Sequence, residues 1–269
     1  MRRPTQEERG RRFAALHEGS CFLIPNPWDG GSARVLEALG FEALATSSSA
    51  FAFTLGRADG GVTLEDLAEH VRTLVAATDL PISVDLENGF GVTPGNAARA
   101  IEAAATAGAV GGSIEDWDAE AGIYEVGAAA ERIRAAAEVV AALPFPFLLT
   151  ARAENHIRGN PDLDDTIARL LAYEEAGADV LYAPGLADPE EVGAVVAAVG
   201  RPVNVLARPS MTVAEIAAAG ARRISVGGSL AWATVEAMAE VATRMRAEGD
   251  LSGLRGGARV AGWLAAPDG

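Results

Sequence analysis

The chain has 269 residues, 49% of them hydrophobic, with 30 Gly, 13 Pro and no polar low-complexity tract, so it carries apolar surface for a large core at a length that suits one α/β barrel. A net charge of −15 disfavours coating nucleic-acid phosphates or an anionic membrane, leaving small molecules and other subunits as the expected partners. All 22 basic residues are Arg, which excludes Schiff-base lysine, pyridoxal-phosphate and P-loop chemistry, and one cysteine with three scattered histidines cannot build an intrachain disulfide or a Cys/His zinc site.

The opening segment MRRPTQEERGRRFAALHEG is charged and lacks a continuous apolar stretch, so it reads as neither signal peptide nor anchor. No apolar run approaches the ~18 residues of a membrane span, and a cytoplasmic location is expected. Beyond it a block recurs in which an Ala/Glu-rich helix ends at Gly and a β-rich run follows: VLEALGFEALATS, AAATAGAVGGSIE, LAYEEAGADVLYA and EIAAAGARRISVGG. Gly40, Gly108, Gly177 and Gly220 are the expected left-handed residues at these joints. Strands are predicted near 21–25, 42–48, 81–87, 109–115, 147–153, 178–183, 203–207 and 223–227, each followed by a helix, with caps at Ser32, Thr63, Thr93 and Ser229. Eight such units predict a single (β/α)8 TIM barrel over 1–269, with a doubly wound open sheet as the alternative. A helix over 230–247 and a Gly-rich turn leading to Trp263 form a C-terminal tail, about 230–264, expected to pack on a neighbouring subunit.

In a barrel, function gathers where strands hand over to the βα loops. Strand three reads PISVDLENGFG, which places Asp85 and Glu87 on one face and Val84 and Leu86 on the other. Two interior carboxylates repel each other and lose hydration unless protons or a cation neutralise them. Strand four adds Glu115 from GGSIEDW, and the loop after strand two adds Asp59 from LGRADGG. Four carboxylates from successive units are an expected ligand set for Mg2+, or for Mn2+. In LLTARAEN, Arg152 shares parity with Glu154 and is placed to grip a substrate carboxylate, or else to pair with Glu115 or Glu154. Ser47, Ser48 and Ser49 offer amides and hydroxyls to an anionic oxygen. Asn204 and Arg208 are second-rank pocket residues, Trp28 is a candidate pocket wall with Asp29 fixing its loop, and Gly227 to Ser229 read as a phosphate-like turn or a plain helix cap.

The ordered set TSSSAFAFTLGRADG, VDLENGFG, GGSIEDW and TARAEN resembles the isocitrate lyase and phosphoenolpyruvate mutase superfamily from about strand one to strand eight. The resemblance implies a barrel whose last helix is exchanged between subunits of a homo-dimer or homo-tetramer. It also implies that Asp59, Asp85, Glu87 and Glu115 hold Mg2+ directly or through water. Ser47 to Ser49 and Arg152 fall where that superfamily binds the 2-oxo-carboxylate. Glu87 stands where Asp is usual. The lyases' Lys-Lys/Arg-Cys-Gly-His loop is replaced by EDWDAEAGIYE, and the Lys, Asn and Ser of the phosphonate-processing members are missing as well. The expectation is therefore a Mg2+-dependent lyase or decarboxylase that acts on a small 2-oxo or 2-hydroxy dicarboxylic acid through a metal-stabilised enolate. Tyr124, Tyr182 or a metal-bound water would supply the proton. The alternatives are a carbon–phosphorus mutase or hydrolase of the phosphoenolpyruvate or carboxyphosphonoenolpyruvate mutase type, and a catalytically silent 2-oxo acid binding protein.

Overall fold

The computed structural model describes residues 2–264, so Met1 and residues 265–269 of the expected 1–269 domain lie outside it. Strand runs form at β1 (Phe22–Ile24), β2 (Leu44–Ala45), β3 (Ile82–Asp85), β4 (Gly111–Glu115), β5 (Trp117–Asp118), β6 (Gly122–Ile123), β7 (Leu148–Arg152), β8 (Val180–Tyr182), β9 (Val203–Leu206) and β10 (Arg223–Ser225). Eight of them make one all-parallel sheet in the order β1-β10-β9-β8-β7-β4-β3-β2, while β5 and β6 pair antiparallel as a separate hairpin. Across the seam Ala45 N donates to Pro25 O at 3.1 Å, so the ring of strands is nearly closed. This is a TIM-barrel-like α/β fold, and each of the eight strands lies inside its predicted segment.

The joints follow from local chemistry. Gly40, Gly108, Gly177 and Gly220 all adopt positive φ between 89° and 104°, which turns each helix end into the next strand. Thr63 and Thr93 cap their helices as expected. Two other predicted caps are corrected. The helix Gly30–Ala38 is capped by Asp29, with Ser32 as its reciprocal partner three residues on, because the acidic side chain reaches the Ser32 amide at 2.6 Å. The helix Ser229–Glu248 has Gly228 at its N-cap, and Ser229 is its first residue.

Three local elements escape the simple β/α alternation. The N-terminal segment forms a helix, Gln6–Glu18, behind a Thr5/Glu8 capping box, and its buried Phe13 clusters with Phe22, Ile24, Ala43 and Val110. Gly111 makes room for it, since a Cβ there would meet the Phe13 ring at 2.8 Å. A short helix, Ser48–Thr54, takes over where β2 was expected to continue. The hairpin β5–β6 follows β4 directly.

Apolar strand residues that face outward meet the helices: Val84 and Leu86 are 1% exposed, and Leu86 packs near Gly112, Ile101 and Phe147. The last long helix is different. Only Ala231 of its 20 residues is buried, and Leu230, Trp232, Met238 and Met245 stand exposed. Among the described residues no helix is long and apolar enough to cross a membrane.

His70 is buried in this framework, stacked on Phe51 with ring centroids 3.9 Å apart, and burial brings its pKa down to about 4. The unfolded chain therefore takes up this proton from pH 6.5 downward while the folded chain resists it, so stability is fully present above pH 6.5 and falls as pH drops towards 4. The loss is about 1 kcal/mol per pH unit for one such histidine. His70→Phe is expected to flatten this acid limb, which urea denaturation at pH 7 and pH 5 would measure. An unchanged difference between the two pH values would rule out His70 as its source.

Candidate active site

A cavity of about 200 Å3 opens at the C-terminal ends of the strands and runs down into the barrel. Its rim carries Ser47, Ser48, Ser49, Asp59, Gly227 and Gly228, its wall Asp85, Arg152 and Tyr182, and its floor Ser83, Ser113, Asn204, Arg223 and Ser225. Parity explains the wall: Asp85 is two residues above Ser83 on β3, and Arg152 two above Thr150 on β7.

Arg152 is the centre of the charge arrangement. Its guanidinium contacts Asp85 Oδ1 at 3.4 Å, Glu115 Oε2 at 3.2 Å and Glu154 Oε1 more closely still, and it lies over the Tyr182 ring at 5.3 Å. Arg158 adds a second cation, with Glu154 at 3.0 Å, Glu115 at 4.0 Å and the Trp117 ring beneath it at 3.5 Å. Of the two readings of Arg152, the structure shows the ion pairing, with Glu115 and Glu154 as expected and Asp85 in addition, on a side chain that also lines the cavity. Asp85 is further held by the Ser48 amide at 3.2 Å and the Glu87 amide at 3.3 Å. Ser47 accepts from Ala50 N as the cap of the short helix, and its hydroxyl meets that of Ser49 at 3.2 Å.

Glu87 sits beyond the end of β3 with φ 48°, a left-handed conformation that costs a non-glycine residue about 1–2 kcal/mol. Phe90 does the same at φ 59°. The bent loop between them is clamped by buried Arg132, which donates to the carbonyls of Asn88, Gly91 and Thr93 and lies over the Tyr124 ring at 4.7 Å. Burial, with Asp85 and Asp59 adding to it, pushes Glu87 up to about 7, and its Oε1 is buried without a hydrogen-bond partner. Burial likewise raises Glu115, against the pull of Arg152.

That orphaned oxygen is what the donor set offers a cation. Asp85, Glu87 and Glu115, with exposed Asp59 on the rim, are hard oxygen donors in excess of the two arginines that face them, and they fit Mg2+ by chemistry. Among the described residues no three carboxylate, imidazole or thiol side chains are grouped closely enough to hold a metal ion by themselves.

Not every candidate reaches the cavity. Trp28 is half-buried, and Tyr124 is tied through its hydroxyl to Asn88 at 3.0 Å; neither lines the cavity, and exposed Arg208 is also outside it. Glu87 and Glu115 do not line it either: β3 ends at Asp85, so strand parity does not carry left-handed Glu87 to the inner face, and Glu115 is buried against Arg152. Tyr182 does line it, and burial pushes its phenol up to about 12. Asn204 lies on the floor. The segment EDWDAEAGIYE is the hairpin, and Asp118 pins it by accepting from Glu120 N and Ala121 N, both at 2.9 Å, and from Asn88 Nδ2 at 2.9 Å.

Sequence reasoning missed Asp116. Its carboxylate, 2% exposed, accepts from Glu154 N at 2.7 Å, Arg169 Nη1 at 3.0 Å and Tyr173 OH at 2.5 Å, joining β4, β7 and the helix Leu163–Glu175. Its parity is outward, and only the basic and phenolic partners on a distant helix explain it. Asn26, Thr46 and Arg223 were missed for a different reason: each lines the cavity, but none stands in an acidic pattern.

Residues 13–246 match the phosphoenolpyruvate phosphomutase family. The chain belongs to that family. Its kin within the isocitrate lyase/phosphoenolpyruvate mutase superfamily include several chemistries. An oxaloacetate decarboxylase of Bradyrhizobium sp. is 30% identical over 90% of this chain and 81% of its own length. A 2-methylisocitrate lyase of Halalkalibacterium halodurans is 30% identical over 74% and 67%. The crystal structure of a candidate lyase/mutase from Burkholderia cenocepacia J2315 superposes with a TM-score of 0.94 at 50% identity, covering 98% of both chains. The family member described here is accordingly a lyase or mutase of this superfamily.

Asp116→Ala is expected to destabilise the protein by about 2–3 kcal/mol, because it leaves the Tyr173 hydroxyl and the Glu154 amide without an acceptor in the interior, while Arg169 keeps Asp165. Thermal or urea denaturation checks this, and a loss below about 1 kcal/mol would show that Asp116 does not tie these elements together.

Proposed function

We propose that the protein is a Mg2+-dependent lyase or decarboxylase of a small 2-oxo or 2-hydroxy dicarboxylic acid. The observation that carries this reading is the meeting, in one cavity, of the Asp85 carboxylate, the Ser48 amide and the Arg152 guanidinium. Asp85, with Asp59, Glu87 and Glu115, would hold the ion directly or through water, and Mn2+ would serve the same donors. A bound divalent ion supplies positive charge over the acid's oxygens as the neighbouring bond breaks. Arg152 orients the substrate carboxylate, and its existing ion pairs fix its planar fork before the substrate arrives. Ser47, Ser48 and Ser49 present hydroxyls and amides to the same end of the molecule. Tyr182, protonated at neutral pH and lining the cavity, would give a proton to the enolate carbon left when the bond breaks, a role that Tyr124, bonded to Asn88 away from the cavity, would not fill.

Two relatives support the carbon–carbon reading, one bearing the name of an oxaloacetate decarboxylase and one of a 2-methylisocitrate lyase. The acidic hairpin, with Asp118 and Glu120, opposes a doubly charged phosphonate. Purified protein with Mg2+ is expected to release pyruvate from oxaloacetate or from 2-methylisocitrate, to stop on chelation, and to lose at least about a hundredfold in rate in Asp85→Ala, the scale of removing one preorganised electrostatic contact. Isocitrate, phosphonopyruvate and oxalate complete the panel. Thermal stabilisation by Mg2+ and oxalate without turnover of any substrate would identify a binding protein, and phosphorus-containing products would identify a mutase or hydrolase.

The exposed C-terminal helix is read as a subunit contact. Leu230, Met238 and Met245 recur about every two turns on one stripe, and an apolar stripe of this kind is ordinarily covered. Light scattering is expected to give a homo-dimer or homo-tetramer that Met238→Glu weakens towards monomer. A monomeric wild type at micromolar concentration would refute the exchange of this helix between subunits.

A further inference from the structure

Arg223 is an unusual charge to find in a barrel interior. It is 5% exposed, and its hydrogen-bond partners are all neutral: Nε donates to Asn204 Oδ1 at 2.8 Å, Nη2 to Thr150 Oγ1 at 3.1 Å and Nη1 to His17 Nε2 at 3.3 Å. His17 Nδ1 is engaged by the Phe13 carbonyl at 2.8 Å, so Nε2 is left as the acceptor and the ring is uncharged. Among the described residues no carboxylate forms an ion pair with Arg223, whereas Arg152, at the other end of the same cavity, has three. Burying an unpaired cation costs several kcal/mol, and a barrel core can fill such a position with an apolar side chain at no such cost. Three of the five guanidinium N–H groups are used, which leaves two for something that enters the cavity.

Arg223 lines that cavity together with Asn204 and Ser225, and Asn204 is itself oriented, with Oδ1 turned to Arg223 and Nδ2 to Ser225 Oγ at 3.0 Å. One continuous space therefore carries a carboxylate-rich end with Arg152 and a floor with an uncompensated arginine. Resting on the reading of the protein as an enzyme of small dicarboxylic acids, we infer that Arg223, with Asn204 and Ser225, is the subsite for the substrate's distal carboxylate and selects dicarboxylic over monocarboxylic acids. The substrate supplies the anion that the fold withholds, and the neutral partners hold the guanidinium still without competing for it.

Malate and lactate share a 2-hydroxy-carboxylate end and differ at the distal carboxylate, so calorimetric titration of both in the presence of Mg2+ isolates this subsite. Wild type is expected to bind malate at least about tenfold more tightly than lactate, and Arg223→Met to lose that preference while still binding lactate and oxalate. Wild-type affinity for malate in Arg223→Met, or an equal loss for malate and lactate, would overturn the inference. Should the variant fail to fold, wild-type crystals soaked with malate decide the matter: the distal carboxylate is expected against the Arg223 guanidinium, and a carboxylate turned to the rim overturns the assignment. If wild type binds oxalate and lactate but does not prefer malate, the subsite alone is wrong. If it binds none of the three, the 2-oxo and 2-hydroxy acid reading fails with it.

Discussion

The interior of this barrel is organised around keeping acidic groups apart from one another. Asp85, Glu115 and Glu154 come from adjacent strands and could not share so small a space as bare anions, and Arg152 is the group that lets them. Its rigid fork meets all three at once, and the short helix after β2 turns an amide on Asp85 from the other side. Remove that cation and the strands that deliver the carboxylates would have to part. Glu87, left outside the knot, is the carboxylate with an unsatisfied oxygen, and it is held there by a left-handed turn that Arg132 clamps from behind. The side chains that wall the cavity and those that hold the strands together overlap, Asp85 and Arg152 belonging to both sets.

Much of this was legible in the chain itself. Helix–Gly–strand joints announce a β/α alternation because glycine alone enters the left-handed region cheaply, and all four such glycines do so. Period-two parity on β3 and β7 turns Asp85 and Arg152 to the interior, where both line the cavity, but it does not reach Glu87, because the strand ends at Asp85 and the chain bends into the left-handed region. The capping error at Ser32 arose because Asp29 and Ser32 are reciprocal partners, either of which fits the N-cap by residue type. The N-terminal helix carried a Thr5/Glu8 capping box, yet its role as a plug depends on Phe13 meeting Gly111, a contact between residues far apart in the chain.

The site was less fully legible, and for a related reason. Acidic residues stand out at strand ends and in the loops beyond them, so Asp59, Asp85, Glu87 and Glu115 were singled out, and of these Asp59 and Asp85 line the cavity; Thr46, Asn26 and Arg223 are pocket residues only because particular strands lie side by side. Asp116 is the clearest case. It adjoins Glu115 in sequence and faces the opposite way, and its importance comes from Arg169 and Tyr173 on a helix some fifty residues on. Parity finds what a strand presents, whereas the partner that makes a buried charge tolerable has to be supplied by topology.

The hairpin that follows β4 has a consequence for the turn that carries Glu87. Asp118 accepts from two of the hairpin's own amides and from Asn88 Nδ2, so the turn from Glu87 to Phe90 is buttressed by the hairpin on one side and by Arg132 on the other. A substitution in the hairpin, outside the cavity lining, would therefore be felt at Glu87 through that shared asparagine.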